Sequence, residues 1–308
     1  MHDRPDTMAG GIGPGSQPRE DDGAELDYLP MPGAMRTYRQ PQLPEPRDAA
    51  GCVAGIAALR ALQLLLSGYR AGAPPQRFDL GHLAPADRRL VEDCLGEGEV
   101  SIRGRAGDAS PALRETDREH TDCGDMDAQE TRLAGVWRVR GRRNDAGARR
   151  RDVLEVADVP GFVRAHGFAG GRGHIDLPQP LPDGVMNAPG VVAELLEQVR
   201  ARAHGEPRPP HIVNLTLLPQ SEQDLALLGE VLGRGPVSIL SRGYGNCRVT
   251  ATVLRDVWWV QYFNSDDRLI LNTLEVTDVP ASVLAAQEDF EDSAERLREI
   301  LAALTEAT

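Results

Sequence analysis

The 308-residue sequence contains no lysine; all 34 of its basic residues are arginine. That excludes a Schiff-base lysine and a Walker-type phosphate-binding lysine. Arginine anchors and pairs, but it does not act as a base near neutral pH. A basic excess is also missing: 47 acidic residues leave a net charge of −13. Non-specific nucleic-acid binding needs a basic face, so it is not expected, whereas a basic partner is compatible. Cysteine is sparse and dispersed, at Cys52, Cys94, Cys123 and Cys247, with no C-x-x-C pair. Neither a zinc ribbon nor a disulfide framework is indicated, and reduced thiols in the cytoplasm are expected. The segment from Met1 to Asp22 has no apolar core, so no signal peptide is expected. The longest apolar stretch, Ala54 to Ser67, is interrupted by Arg60 and Gln63, well short of a membrane span of about 20 apolar residues. The seven histidines show no metal-ligand spacing, and G-x-G-x-x-G after a strand, G-x-S-x-G and phosphate loops are all missing. No metal or cofactor is implied.

What is present is an ordered internal similarity. Leu95 to Ile102 returns as Leu232 to Ile239 with six of eight positions identical. Thr131, Leu133, Val136, Trp137 and Val139 return as Thr252, Leu254, Val257, Trp258 and Val260. Leu154 to Pro160 returns as Leu274 to Pro280 with six of seven identical. The sequence therefore reads as a flexible tail (1–47), a first repeat unit (48–165), a Gly/Pro-rich linker (166–190) and a second unit (191–308). The first unit carries an insert between Ile102 and Thr131 whose acidic stretch, up to Glu130, reads as a solvated loop.

Each unit opens with an amphipathic helix, Val53 to Leu66 and Val191 to Ala203. In the second unit a strand, Ile212 to Leu217, precedes a helix that Ser221 and Asp224 start as a capping box and Gly233 ends. Val237 to Leu240 is a strand. Val249 to Phe263 is rich in strand formers, and the turn cluster Asn264 to Asp267 returns the chain through Leu269 to Val276 as a hairpin. Pro280 opens a final helix whose apolar face runs from Val283 to Leu304. The expected fold class is α+β, with mixed sheet flanked by helices and a disordered N-terminal tail; Tyr28 to Pro46 is the part of that tail best suited to dock in extended form. The linker, glycine-rich and then proline-rich, is expected to be mobile and then extended.

Features shared by both units are best explained by architecture. Val-Trp at 136–137 and 257–258 is expected in the cores. Glu155 and Glu275 read as exposed or cap-pairing carboxylates rather than catalytic acids. Features of one unit alone are the functional candidates. The first is the loop Arg242, Gly243, Tyr244, Gly245, Asn246, Cys247 and Arg248. Its glycines allow close backbone approach, and its arginines can fork onto carboxylates. A surface strand connection is the competing reading. The second is the run containing Trp259, Gln261 and Tyr262, where the first unit has Arg138 in place of Trp259. Trp258 and Trp259 face opposite sides of a strand, so Trp259 is a candidate anchor for a partner unless both faces are covered. Cys247 beside Arg248 is weighed as a reactive thiol.

The strings Val213 to Pro219, Leu232 to Arg248, Val257 to Ser265 and Leu269 to Val276 resemble the HupH/HyaF family of hydrogenase expression proteins, which includes the HoxQ relatives. The resemblance is densest in the second unit and ordered through the first. It implies a non-enzymatic, cytoplasmic accessory role in maturing uptake nickel–iron hydrogenases. The implied partner is the iron–sulfur small-subunit precursor, held before twin-arginine export, with its signal peptide as one possible contact. Alternatives are a thiol-dependent enzyme or iron–sulfur carrier using Cys247, or a scaffold for another maturation protein such as a thioredoxin-like partner. The resemblance transfers no catalytic residue.

Overall fold

A computed structural model describes residues 44–105, 125–141, 152–203, 208–242 and 246–305. Its strands are β1 (Gln76–Asp79), β2 (Val100–Gly104), β3 (Met126–Glu130), β4 (Val136–Gly141), β5 (Asp152–Val156), β6 (His211–Asn214), β7 (Val237–Ser241), β8 (Asn246–Ala251), β9 (Val257–Phe263) and β10 (Leu269–Val276). All ten join one sheet in the order β1-β5-β4-β3-β2-β7-β8-β9-β10-β6. Every neighbouring pair is antiparallel, which corrects the expectation of a mixed sheet. At the middle, β2 meets β7 with Ile102 opposite Ile239. The ladder continues at both ends, where Arg242 N–H donates to Glu99 O (3.1 Å) and Arg105 N–H to Pro236 O (2.9 Å). The strands β1–β5 are called the first half below, and β6–β10 the second.

The helices are α1 (Pro46–Ala49), α2 (Val53–Gly68), α3 (Pro85–Leu95), α4 (Gly161–His166), α5 (Ala188–Ala203), α6 (Glu222–Leu232) and α7 (Gln287–Thr305), with a 3-10 turn at Ala281–Val283. Burial at Ala58, Leu59, Leu62 and Leu66 gives α2 a continuous apolar stripe. That stripe packs with Leu90 and Leu95 of α3, Phe290 and Leu297 of α7, and Val136, Leu154 and Val156 of the sheet. On the same face of the second half, Leu195 and Val199 of α5 and Leu228 and Leu232 of α6 pack over Val257, Leu274 and Val276. The opposite face carries one cluster across the midline. Ile102, Trp137 and Val139 lie there with Ile239, Val249, Trp258 and Val260, under Phe162 of α4 and Val283.

Trp137 and Trp258 are almost fully buried. At roughly 150–250 Å² each, they contribute on the order of 5 kcal/mol apiece by area. Each indole donates to a backbone carbonyl beyond the last hairpin strand of its own half, Ala157 O (2.9 Å) and Asp278 O (3.1 Å).

A buried aspartate in each half closes the start of the leading helix. Asp87 accepts from Gly55 N–H at 2.7 Å. Asp224 does more: Oδ1 accepts from Met186, Asn187 and Ala188 N–H, each at 2.9 Å, while Oδ2 completes the expected capping box with Ser221. Both sites use orphan donors at helix N-termini. Gly96 (φ +55°) and Gly233 (φ +50°) end α3 and α6 in conformations that β-carbons disfavour.

Several expectations are corrected. The acidic stretch of the insert is not loop to its end: Met126 and Ala128 point into the core and make β3, and residues 106–124 lie outside the described residues. The strand expected to reach Leu217 stops at Asn214, whose side chain accepts from Thr216 and Leu217 N–H and turns the chain. Pro280 opens only the 3-10 turn. The long helix starts at Gln287, with Asp289 accepting from Ala286 N–H at 2.7 Å. Although α7 ends the second stretch of sequence, its apolar face packs in the first half.

The segment 166–190 is tied down. Phe168 stacks edge-on against Trp258, Arg172 exchanges backbone hydrogen bonds with Val253 and Arg255, and Ile175 is buried. Ordered chain also begins before 48, because Ala49 of α1 is buried against the α2–α7 cluster. The tail up to residue 43, with Tyr28, lies outside the described residues.

Candidate partner-binding surface

Alternation along β8 and β9 sorts the sequence candidates onto two faces. Trp259 and Gln261 share the helix-covered face with Arg248, opposite Gln261 in the ladder. Cys247 and Tyr262, also paired, face the shared cluster beneath the 3-10 turn. Asn246 starts β8 and donates from Nδ2 to Asp267 at 2.9 Å. Arg242 is exposed at the end of β7. Gly243, Tyr244 and Gly245 lie outside the described residues. The seven described candidates therefore do not converge on one centre.

Cys247 is a poor nucleophile in this setting. Burial pushes its thiol up, a hydrogen bond from Tyr262 opposes that, and the nearby Glu275 carboxylate raises it further. Among the described residues, no group of three or more His, Cys, Asp or Glu side chains is placed to hold a metal ion. Glu155 and Glu275 are not a matched catalytic pair. Glu155, 2% exposed, accepts from Gly161 N–H at the start of α4 and pairs with Arg77 Nε at 3.2 Å. Burial raises Glu275, with a Thr273 hydrogen bond opposing.

The helix-covered face is where the halves part company. In the first half it is closed by charge. Arg138 makes a two-pronged bond to Asp152 (2.9 and 2.8 Å) and a third to Glu92 (2.5 Å). The hydrogen bond from Arg138 is the main reason the Asp152 carboxyl lies below its ordinary range. At the matching register of the second half, Trp259 Nε1 donates to Asn272 Oδ1 at 2.5 Å. The indole packs only partly against the α5–α6 cluster. Where the first half has Arg138, the second has an aromatic leaning on the helices, so Trp259 is half-covered rather than fully presented to solvent.

Beyond the cover of α6, the surface stays apolar. Arg248 lies over the Phe263 ring at 5.5 Å. Leu269 and Ile270 at the start of β10 are 45% and 57% exposed. They stand beyond the reach of β6, which pairs with β10 only from Thr273 to Val276. The turn after β6 is bonded to Asn272 and presents Leu217 (80% exposed) and Leu218. Exposed apolar residues grouped at a sheet end are a recognised feature of interaction surfaces. Sequence reasoning missed Ile270, Leu217 and Asn272. Their signal was the apolar pair Leu269-Ile270 directly after a turn cluster, where a solvated strand end is usually polar.

Comparisons with known proteins identify the family. The C-terminal conserved region of the HupH hydrogenase expression protein matches residues 185–304, the stretch that holds the surface. The hydrogenase expression/formation protein HupQ of Azotobacter chroococcum mcd 1 is 46% identical over 96% of this chain and 96% of its own. HupH of Rhodobacter capsulatus is 44% identical, again with 96% of each covered. The hydrogenase-1 operon protein HyaF of Escherichia coli (strain K12) is 33% identical over 96% of both. A solved structure of hydrogenase expression protein HupH from Thiobacillus denitrificans ATCC 25259 covers 38% of this chain and 95% of its own, at 25% identity and a TM-score of 0.35. With identity this high sustained along nearly the whole sequence, the chain belongs to the HupH/HyaF family of hydrogenase expression proteins.

Proposed function

We propose that this protein is a non-enzymatic accessory factor in hydrogenase maturation. In this reading it is a cytoplasmic chaperone that holds the iron–sulfur small-subunit precursor of a nickel–iron hydrogenase before export. The observation that carries the binding surface is the exposed apolar end of the second half, around Ile270, Leu217 and Phe263. It adjoins Asn246 and Arg248 of β8, so these residues can engage the same extended segment. Unpaired backbone at the start of β10 offers hydrogen bonds to such a segment, and the apolar side chains offer contact area. The acidic net charge favours encounter with a basic precursor.

The two halves are read as copies of one unit, 48–165 and 191–308, joined by 166–190. The register of Ile102 against Ile239 and the outward order of strands from that pair support this reading. The exposed apolar strand end of the second copy supports assigning the binding role to that copy.

Co-purification of the small-subunit precursor with the full chain tests the proposal. Wild type is expected to retain the precursor, and Ile270→Ser combined with Leu217→Ser to lose most of it. Arg242→Ala with Tyr244→Ala tests the loop separately. Retention unchanged in both variants would remove this surface from the interface. The thiol alternative has its own check: Cys247→Ser is expected to leave hydrogenase maturation intact.

A further inference from the structure

The first half holds a cleft of about 360 Å³ on the face opposite the α2–α3 layer. Met126, Val139, Val153 and Phe162 form apolar walls, and Arg77 and Glu155 bring charge to it. In the second half the corresponding position holds a side chain, as the ladder shows. On β4, the face that carries Trp137 and Val139 next presents Gly141, opposite Met126. On β9, the face that carries Trp258 and Val260 next presents Tyr262, opposite Cys247. The phenol of Tyr262 packs against the shared cluster, and its hydroxyl is hydrogen-bonded with Cys247 and Ser282. Glu275 stands near it, as Glu155 stands in the cleft. The remaining positions correspond in the same way: Val139 to Val260, Val153 to Thr273, and Gly161 to Ala281. The two halves thus treat related positions differently: Tyr262 fills one, while in the other Phe162 stands where the second half has Ser282, lies over Gly104 and Met126, and leaves a cleft beside its ring.

We propose that the cleft of the first half binds a 4-hydroxyphenyl group, the side chain of a tyrosine presented by another polypeptide. The walls supply the flat apolar contact that the ring needs. Glu155 supplies an acceptor for the hydroxyl. Its carboxylate accepts from Arg77 Nε and Gly161 N–H, and a carboxylate has about four acceptor sites in all, so one more donor fits. Arg77 stays 46% exposed at the rim, where it can meet the backbone of the incoming chain. This inference does not depend on the apolar end of the second half, which lies on the other face of the sheet.

The test uses the full chain and two probes, p-cresol and N-acetyl-L-tyrosinamide, followed by calorimetry and saturation-transfer NMR. Both are expected to bind once per chain, with N-acetyl-L-phenylalaninamide at least about fivefold weaker. Gly141→Tyr is expected to abolish binding of every probe. Should that variant fold poorly, Ala165→Phe at the exposed rim blocks the same space and leaves the sheet untouched. Tyr262→Gly is expected to add a second p-cresol site and to regain thermal stability as p-cresol is added. Binding of p-cresol without N-acetyl-L-tyrosinamide would overturn the polypeptide source. No binding by any probe, or undiminished binding in both Gly141→Tyr and Ala165→Phe, would overturn the site.

Discussion

The two halves of the sheet share strand order and register, yet they spend the same surface differently. Where the first half sets Arg138 between Asp152 and Glu92, the second sets Trp259 against Asn272 and leaves Leu269 and Ile270 open. A closed arginine–carboxylate cluster satisfies its own charges and has little left for a partner. An indole and a row of apolar side chains at a sheet end leave area to bury. The lesson is that the half with fewer internal polar bonds on this face is the half suited to binding. Four experiments sharpen or break that contrast.

The largest effect is expected at the paired helix-start aspartates. Burial by itself would raise Asp224, but N–H donors from Ala188, Ser221 and Met186 and the Ser221 hydroxyl outweigh it, holding the carboxyl well below the usual range. Asp224→Asn is expected to lower unfolding free energy by about 3 kcal/mol or more at pH 7. Asp87→Asn, with one such bond, should cost about 1 kcal/mol. Because the folded-state pKa of Asp224 is depressed, its contribution is present above pH ~4 and fades as pH falls through the folded value. The gap between wild type and Asp224→Asn in urea titrations should therefore narrow below pH ~4. Equal losses at both aspartates would erase this difference between the halves.

Next comes Glu130, whose place in the second half is taken by Ala251. Burial pushes its carboxyl up to about 7, with a Gly135 N–H bond opposing. A raised folded pKa means the stability is full below pH ~4.3 and declines as pH rises through about 7. Glu130→Ala is expected to flatten that decline and to gain about 3 kcal/mol at pH 8 relative to its effect at pH 4. A wild-type stability curve already flat from pH 5 to 8 would contradict the assignment.

Arg138→Met should then cost about 1–2 kcal/mol, because Asp152 and Glu92 lose their common partner in a partly solvated site. NMR titration of Asp152 is expected to show its pKa rising toward the ordinary range.

The smallest effects concern capture of the hydrogenase precursor. Ile270→Ser is expected to weaken it about tenfold, some 1.4 kcal/mol, and Arg248→Ala only about threefold. Val53→Ser and Leu64→Ser, exposed apolar positions of α2 in the first half, are the controls and should leave capture unchanged. Equal losses from the two sets would move the binding surface or spread it over both halves.

Much of this fold was legible where local chemistry decides it. Ser221 and Asp224 announced the start of α6, Gly233 its end, and the turn cluster at Asn264 the hairpin of β9 and β10. The tryptophans at 137 and 258 were recognisable as core. What escaped depends on tertiary partners. An apolar stripe on α7 says that the helix is buried, not that it packs with α2 rather than α5. Glycine and proline in 166–190 suggested slack, but Phe168 and Ile175 find apolar partners that hold the segment. At the candidate surface, alternation separated Trp258 from Trp259, yet nothing local said that Asn272 would take the indole proton. The cleft was invisible because its walls come from separate strands and from α4, which only the tertiary fold brings together.

The placement of α7 carries a consequence for biosynthesis. The first half emerges from the ribosome with α2, α3 and its five strands, but Leu59, Leu62 and Val136 face a layer that Phe290, Leu297 and Leu301 must supply. Until those residues are translated, that core stays open to water and to other chains. Vectorial synthesis thus delays completion of the earlier half until the later one has been made, and a nascent chain halted after β10 would expose the apolar floor on which α7 belongs.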